Sequence, residues 1–344
     1  MIRFSEYVSP GHPDKIADYI SQYILDRYIE LDPDTRYAVE VQVKGYQATL
    51  GGEVSSKVRF DDFEITKFVR EAVNEIGYTR EYQERWGRTN TICGDDMQVE
   101  TYINQQSPDI AQGLTGWGDQ GIFFGMASYD RQTCGMPYDH TLAKRLCKAI
   151  YESGIGGLDI KTQVVTDDNR VRKVIVAVPL LPDQSVKEIR KFVKKQLKGL
   201  PKGYQLIING TGRYVQHATI ADCGTTGRKL AVDFYGGNCK IGGGSPWTKD
   251  ASKADLTLNL AARKLAKNYA SKHKCDVYVS LACCIGRQDV DVSIRDAADN
   301  VLDEGTWEID PAVLRKAYNL DTPIYASMCR WGLFGEFQAD KAWE

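Results

Sequence analysis

The chain has 344 residues, with 44 basic against 46 acidic side chains and a net charge of −2. That balance excludes a nucleic-acid binder driven by bulk charge but leaves room for a local cationic pocket. At 42% hydrophobic and 26% charged, it reads as a globular enzyme of two or three domain-sized units, and its longest apolar run, Val174 to Leu181, is too short to span a bilayer.

The first helix signal follows Gly-His-Pro-Asp-Lys, residues 11–15. Ile16, Ile20, Tyr23, Ile24 and Tyr28 then recur at helical spacing. The unpaired N–H groups of a helix start favour anions, so His12, Asp14 and Lys15 at that end suit a Mg²⁺-bearing phosphate chain. Acidic residues also simply decorate first turns. Tyr37, Val39, Val41 and Val43 alternate with polar residues, predicting a half-buried strand that turns near Gly45 and returns through Thr49 to Glu53. Glu40 and Glu53 fall on opposite arms of that hairpin, on a face that is either solvated or functional. Phe63, Phe68, Val69, Val73 and Ile76 mark the next helix.

The same order of helix, hairpin and helix recurs twice. The second round has a helix over 140–151, strands around Gln163 and Val174, and a helix over 186–197. The third has a helix over 252–270, strands over 277–285 and 290–294, and a short helix over 311–318. Hairpins separated by helices predict the α+β class, with mixed antiparallel sheets packed against helices in a threefold pattern. Gly116-Trp-Gly-Asp-Gln-Gly121 matches a dinucleotide fingerprint, but no apolar strand precedes it and Ile122-Phe-Phe124 reads as strand.

Three glycine clusters carry the next signal: Gly224-Thr-Thr-Gly-Arg-Lys229, Gly236-Gly237 and Gly242-Gly243-Gly244. Glycines let a backbone approach an anion closely. Arg228, Lys229, Lys249 and Lys253 follow, interleaved with Asp250 and Asp255, which favours a polyphosphate site. No Walker loop occurs. Nine cysteines without any Cys-x-x-Cys argue against a disulfide framework or zinc site and point to a reducing, cytoplasmic setting.

These motifs, in this order, resemble the S-adenosylmethionine synthetase (methionine adenosyltransferase) family over nearly the whole chain. They are Gly-His-Pro-Asp-Lys-Ile-Ala-Asp (11–18), Gly-Gly-Glu (51–53), Gln-Ser-Pro-Asp-Ile (106–110), Gly-Asp-Gln-Gly (118–121) and Thr-Gly-Arg-Tyr (211–214). Asp-Cys-Gly-Thr-Thr-Gly-Arg-Lys (222–229), Asp-Phe-Tyr-Gly-Gly (233–237), the triple glycine and Lys-Asp-x-Ser-Lys-x-Asp (249–255) complete the series. The resemblance implies attack of the methionine sulfur on C5′ of ATP, release of tripolyphosphate, and its hydrolysis to pyrophosphate and phosphate. It implies that His12, Lys161, Arg228, Lys229 and Lys249 hold the phosphates and carry catalysis. Asp159, Arg213, Tyr214, Asp222 and Ser245 would line the nucleotide site. Glu53, Gln106, Asp222 and Lys253 would recognise methionine, and Asp109 and Asp119 would face the nascent sulfonium. Asp14 and Asp255 would bind Mg²⁺, and Glu40 would lie at a K⁺ site.

The resemblance further implies three similar domains, drawn at 1–100, 112–216 and 217–344. Partners are the two small substrates, with no nucleic acid or membrane, and the assembly is a homodimer with shared active sites that in some members pairs into a tetramer. Departures are a short segment between Gln106 and Asp119, Tyr214 in place of phenylalanine, Gly210 in place of proline, an unusual Ser245-Pro-Trp-Thr248, Leu256 in place of arginine and a trimmed C-terminal region. The short segment leaves open a phosphohydrolase that no longer transfers. A non-catalytic subunit is the third reading.

Overall fold

The structure is a computed structural model that describes residues 1–105, 116–335 and 341–344. In chain order the strands are β1 (Ile2–Val8), β2 (Arg36–Lys44), β3 (Gln47–Ser55), β4 (Gln98–Gln105), β5 (Gly121–Ala127) and β6 (Lys161–Asp167). They continue with β7 (Arg170–Ala177), β8 (Gln205–Ile208), β9 (Gly224–Thr225), β10 (Val277–Cys283), β11 (Asp289–Asp296) and β12 (Val301–Glu308). The helices are α1 (Pro13–Leu31), α2 (Asp62–Ile76), α3 (Arg80–Trp86), α4 (Tyr138–Ser153) and α5 (Val186–Gln196). After these come α6 (Ala218–Ala221), α7 (Leu230–Asp233), α8 (Ala254–His273), α9 (Pro311–Ala317) and α10 (Tyr325–Arg330).

The strands form three four-stranded sheets, ordered β1-β6-β7-β8, β9-β2-β3-β4 and β5-β10-β11-β12. Each is built on one of the three hairpins read from the sequence. A strand from elsewhere in the chain pairs antiparallel with the first arm: β1 with β6, β9 with β2, and β5 with β10. On the second arm, β8 and β4 pair parallel, because helical crossovers bring the chain back in the same direction. β12 pairs antiparallel with β11, which it follows after a short turn. The fold is therefore α+β with antiparallel-rich sheets, as the alternation predicted.

Each sheet has its own apolar layer. Ala143, Leu146, Cys147 and Ile150 of α4 and Ile189 and Val193 of α5 pack on the β6–β7 sheet. Leu258, Ala262 and Ala266 of α8 pack on the β10–β11 sheet. The β2–β3 sheet packs on α1 and α2 in the largest cluster, which also takes in Tyr325, Met328 and Phe334. Each fully buried aliphatic or aromatic side chain contributes roughly 1.5–3 kcal/mol. α1 is buried on almost every side, Asp14, Asp18, Ser21, Gln22 and Asp26 included. A helix this enclosed holds its polar groups only by pairing them. Ser21 donates to the Val39 carbonyl at 2.8 Å, and Asp26 accepts the Tyr325 and Ala326 N–H groups at 2.9 and 2.8 Å.

Candidate active site

The start of α1 is built from backbone geometry. His12 is its N-cap and Pro13 occupies the first turn, where a missing N–H costs nothing. His12 Nδ1 accepts the Asp14 N–H at 3.2 Å, so the ring proton sits on Nε2, which is buried without a partner. Burial pushes the His12 pKa down to about 2, with Lys161 and Lys229 adding to the effect. The ring is thus a neutral donor whose Nε2–H has no acceptor among the described residues. The segment before it is laced to residues 158–160: Ser9 N donates to Ile160 O at 3.0 Å, and Ile160 N to Ser9 Oγ at 2.9 Å. That lacing brings Asp159 and Lys161 beside His12.

Asp14 is the hub. Its Oδ1 accepts the Thr225 N–H at 3.0 Å, its Oδ2 lies 2.6 Å from Lys229 Nζ, and Arg228 Nε is 3.9 Å away. A Cβ on Gly224 would collide with the Pro13 carbonyl, so glycine is required for the 224–229 loop to reach Asp14. Asp159 Oδ2 accepts the Ala218 N–H at 3.2 Å while Oδ1 has no partner. Burial raises its pKa to about 6 against the pull of Lys161. Asp222, whose Oδ1 accepts the Cys223 N–H at 2.8 Å, acts electrostatically on both His12 and Asp159 and belongs to the same group. Tyr214 is half-buried near Asp159, its carbonyl accepting the Leu180 N–H at 2.9 Å, and the exposed Arg213 bonds the Pro182 carbonyl.

Lys15 does not join this cradle. It turns into the core, 2.7 Å from Asp233 and 3.1 Å from Asp18, over the Trp247 ring at 4.7 Å. Burial alone would lower its pKa, but the two carboxylates hold it above the usual lysine range. Trp247 Nε1 donates to the other Asp233 oxygen at 2.8 Å. The ammonium expected at an anion site is a structural cation.

A second group of residues lies farther along β2. The chain pairs with β2 twice, in two pieces. Thr226 N donates to Val41 O at 3.0 Å; 22 residues later, Val39 N donates to Thr248 O at 3.1 Å and Lys249 bridges to Ala38. The edge is thus a broken strand, and residues 227–247 leave the sheet between its halves. Glu40 stands at the break, taking hydrogen bonds from Thr226 Oγ1 and, at 3.1 Å, Thr248 Oγ1. In register across the sheet, Lys249, Ala38, Glu53 and Asn104 form one row, so their side chains share a face. Lys249 Nζ pairs with Asp255, in the first turn of α8, and Lys253 caps that helix. A Cβ on Gly244 would strike the Asp255 carboxylate. Ser245 packs under Gly227, its Oγ accepting the Trp247 N–H at 3.1 Å. Asp119 is exposed, its carbonyl 3.4 Å from Cys283 Sγ; Gln106 and Asp109 lie outside the described residues.

The structure therefore gathers His12, Asp14, Asp159, Lys161, Asp222, Arg228 and Lys229 at one end of β2, and Glu53, Lys249 and Asp255 at the other. Four residues of strand, roughly 13 Å, separate Gln42, which pairs with Thr225, from Ala38, which pairs with Lys249. Sequence reasoning missed Thr225, Thr226, Thr248 and Asp233. Of the two threonines beside Glu40, Thr226 sits within a motif and Thr248 in the unusual 245–248 loop, and only the strand pairing reveals their shared partner.

Among the described residues no three His, Cys, Asp or Glu side chains converge as a metal cluster. Mg²⁺ bound mainly through substrate phosphates needs only one or two carboxylates, so Asp14 and Asp255, each beside a lysine, fit that ion. Glu40 with two threonine hydroxyls is an all-oxygen set that fits a hard monovalent cation.

The S-adenosylmethionine synthetase N-terminal domain profile matches residues 1–108, and the C-terminal domain profile matches residues 217–344. The S-adenosylmethionine synthase of Pseudothermotoga lettingae is 34% identical, covering 99% of this chain and 95% of its own. That of Staphylococcus epidermidis is 34% identical, covering 99% and 94%. The structure described as an unusual S-adenosylmethionine synthetase from Campylobacter jejuni superposes with a TM-score of 0.89 at 31% identity, over 99% of this chain and 96% of that one. With the motifs, the sheets and the full-length matches in agreement, the chain belongs to the S-adenosylmethionine synthetase family, the methionine adenosyltransferases.

Proposed function

We propose that the chain makes S-adenosylmethionine from ATP and L-methionine by direct attack of sulfur on C5′, expelling tripolyphosphate and then hydrolysing it to pyrophosphate and phosphate. The observation that carries this reading is the cradle of donors around Asp14: the unpartnered His12 Nε2–H, with Lys161, Arg228 and Lys229. A thioether has no proton to lose, so the attack needs no general base. It needs alignment and stabilisation of the charge that builds on the leaving phosphates. His12 donates as a neutral group while these three cations, with Lys249 from the other end of β2, grip the chain. Asp14 and Asp255 would hold Mg²⁺, which supplies further neutralisation of the phosphates. Glu40, Thr226 and Thr248 would hold K⁺ at the broken edge.

Asp159, Arg213, Tyr214, Asp222 and Ser245 orient the nucleoside. Glu53 and Lys253, with Gln106 and Asp222, receive the amino acid, and Asp109 and Asp119 face the sulfonium. The active unit is a homodimer with shared sites. The outward faces of the three sheets each expose apolar side chains, Ile2 and Phe4 on one, Tyr102 on another and Ile122 on the third, which suit contact with a second copy. Incubation with ATP, methionine, Mg²⁺ and K⁺ should give an adenosylated sulfonium by mass spectrometry, together with pyrophosphate and phosphate. Phosphate release without the sulfonium would overturn the reading.

A further inference from the structure

Below the nucleotide side of the cradle lies a hydrogen-bonded floor with no role in the reaction described above. Its centre is His217, 1% exposed. His217 Nε2 lies 2.7 Å from the Tyr82 hydroxyl, and Nδ1 lies 2.7 Å from the Val215 carbonyl. The Tyr82 oxygen also accepts the Leu158 N–H at 3.0 Å. With a neutral ring, only one proton arrangement satisfies all three contacts. Tyr82 donates to Nε2, and Nδ1 carries the imidazole proton and donates to Val215. The backbone N–H of His217 is used as well, on the Asn90 carbonyl at 2.9 Å.

The rings of Trp86, Tyr82 and Tyr78 enclose the imidazole at centroid distances of 4.7, 5.8 and 6.2 Å. The Tyr78 hydroxyl donates to the Gly11 carbonyl at 2.6 Å. The floor thus holds Gly11, Leu158 and Val215, each the chain neighbour of a site residue: His12, Asp159 and Tyr214. The residue after His217 is unusual. Ala218 has φ 55°, a left-handed conformation that a side chain with a Cβ disfavours. It is held there with its N–H on Asp159 Oδ2, while Oδ1 stays without a partner in a residue only 8% exposed. Strain of this kind persists only where the surroundings over-determine it.

We propose that His217 is a positioning residue for the nucleoside. It fixes the 215–218 turn so that Ala218 occupies one Asp159 oxygen and the other remains an acceptor for a hydroxyl or amino donor of the nucleoside. The inference rests on the nucleotide role proposed for Asp159 and assigns the floor a share in that affinity.

The test compares calorimetric binding of ATP and of tripolyphosphate, which lacks the nucleoside, to the full chain with Mg²⁺. His217→Ala should weaken ATP about tenfold and leave tripolyphosphate within twofold. His217→Asn, which keeps a donor toward Val215, should recover part of the loss. In an Asp159→Asn background, His217→Ala should cost much less than tenfold. Tyr82→Phe, which keeps the ring, should shift ATP in the same direction and serves if the alanine variant does not fold. Equal losses for both ligands, or full additivity with Asp159→Asn, would overturn the proposal. Binding does not require turnover, so a chain that forms no sulfonium refutes the proposed reaction while the ATP comparison still decides this inference.

Discussion

Lys229 Nζ lies 2.6 Å from Asp14 Oδ2, so a cation suited to phosphate and a carboxylate suited to Mg²⁺ neutralise each other. Lys249 and Asp255 repeat the relationship at the other end of β2. On the proposed assignments each pair would part as magnesium triphosphate enters, the lysine turning to phosphate and the aspartate to the ion. Neither group is left buried and unpaired before the ligand arrives, which limits the cost of holding the charges in place.

Asp14→Asn should therefore shift the Mg²⁺ titration of activity to higher concentration. Loss of an outer-shell partner already weakens metal sites about 10–100-fold, so the direct ligand should cost at least tenfold. Lys229→Met should instead lower kcat on the order of a hundredfold at saturating Mg²⁺, the scale for one lost donor to a developing anion. Equal Mg²⁺ titrations for Asp14→Asn and the parent would remove Asp14 from the metal site.

Gly244→Ala offers a test that substitutes no charged residue. The added methyl would meet the Asp255 carboxylate and drive it from Lys249. Transfer should fall by tenfold or more, the scale on which misplacement of a reacting constellation acts, with circular dichroism unchanged. Full activity would show that Asp255 is free to relocate and is not needed where it stands.

Lys15→Met should act on stability. It leaves Asp233 and Asp18 buried without their cation, a change that typically costs about 3–5 kcal/mol. Denaturant unfolding should show an earlier midpoint. Lys15→Met combined with Asp233→Asn should be less damaging than the sum of the two single variants, as expected for residues in contact. Additive losses would refute the pairing.

The Asp26 carboxyl gives a pH prediction. Burial raises its pKa from 3.8 to about 7, although the Tyr325 and Ala326 N–H groups oppose the shift. The folded state keeps a proton that the unfolded state releases. This contribution is full below pH 3.8 and is lost as pH rises through 7, with a slope of at most one proton, about 1.4 kcal/mol per pH unit. Asp26→Asn should flatten the stability profile between pH 4 and 7, measured by urea unfolding at several pH values. Parallel profiles for variant and parent would reject the assignment.

The three hairpins and their helices were legible because they carry clean periods of 2 or 3.6. The strands that complete the sheets were harder to read. β9 has two residues, and β4 and β12 are largely polar edge strands whose pattern carries little signal. The α1 motif reads in the sequence as a candidate anion site, but Asp14 and Lys15 could not be told apart there. Their directions are set by Lys229 and Asp233, more than two hundred residues away. Glu40 was assigned a cation by resemblance alone. Its threonine partners emerge only when two distant segments lie end to end along one strand.

The way strands are shared among the sheets has a consequence for synthesis. Ile2 waits for Asp167, and Gly121 waits for Cys283, so a nascent chain leaves the ribosome with its first edges unpaired. Such long closures slow folding and lengthen the time that Ile2, Phe4 and Ile122 can meet foreign strands. Chaperone demand during translation should therefore ease in two steps, as residue 167 emerges and again as residue 283 does.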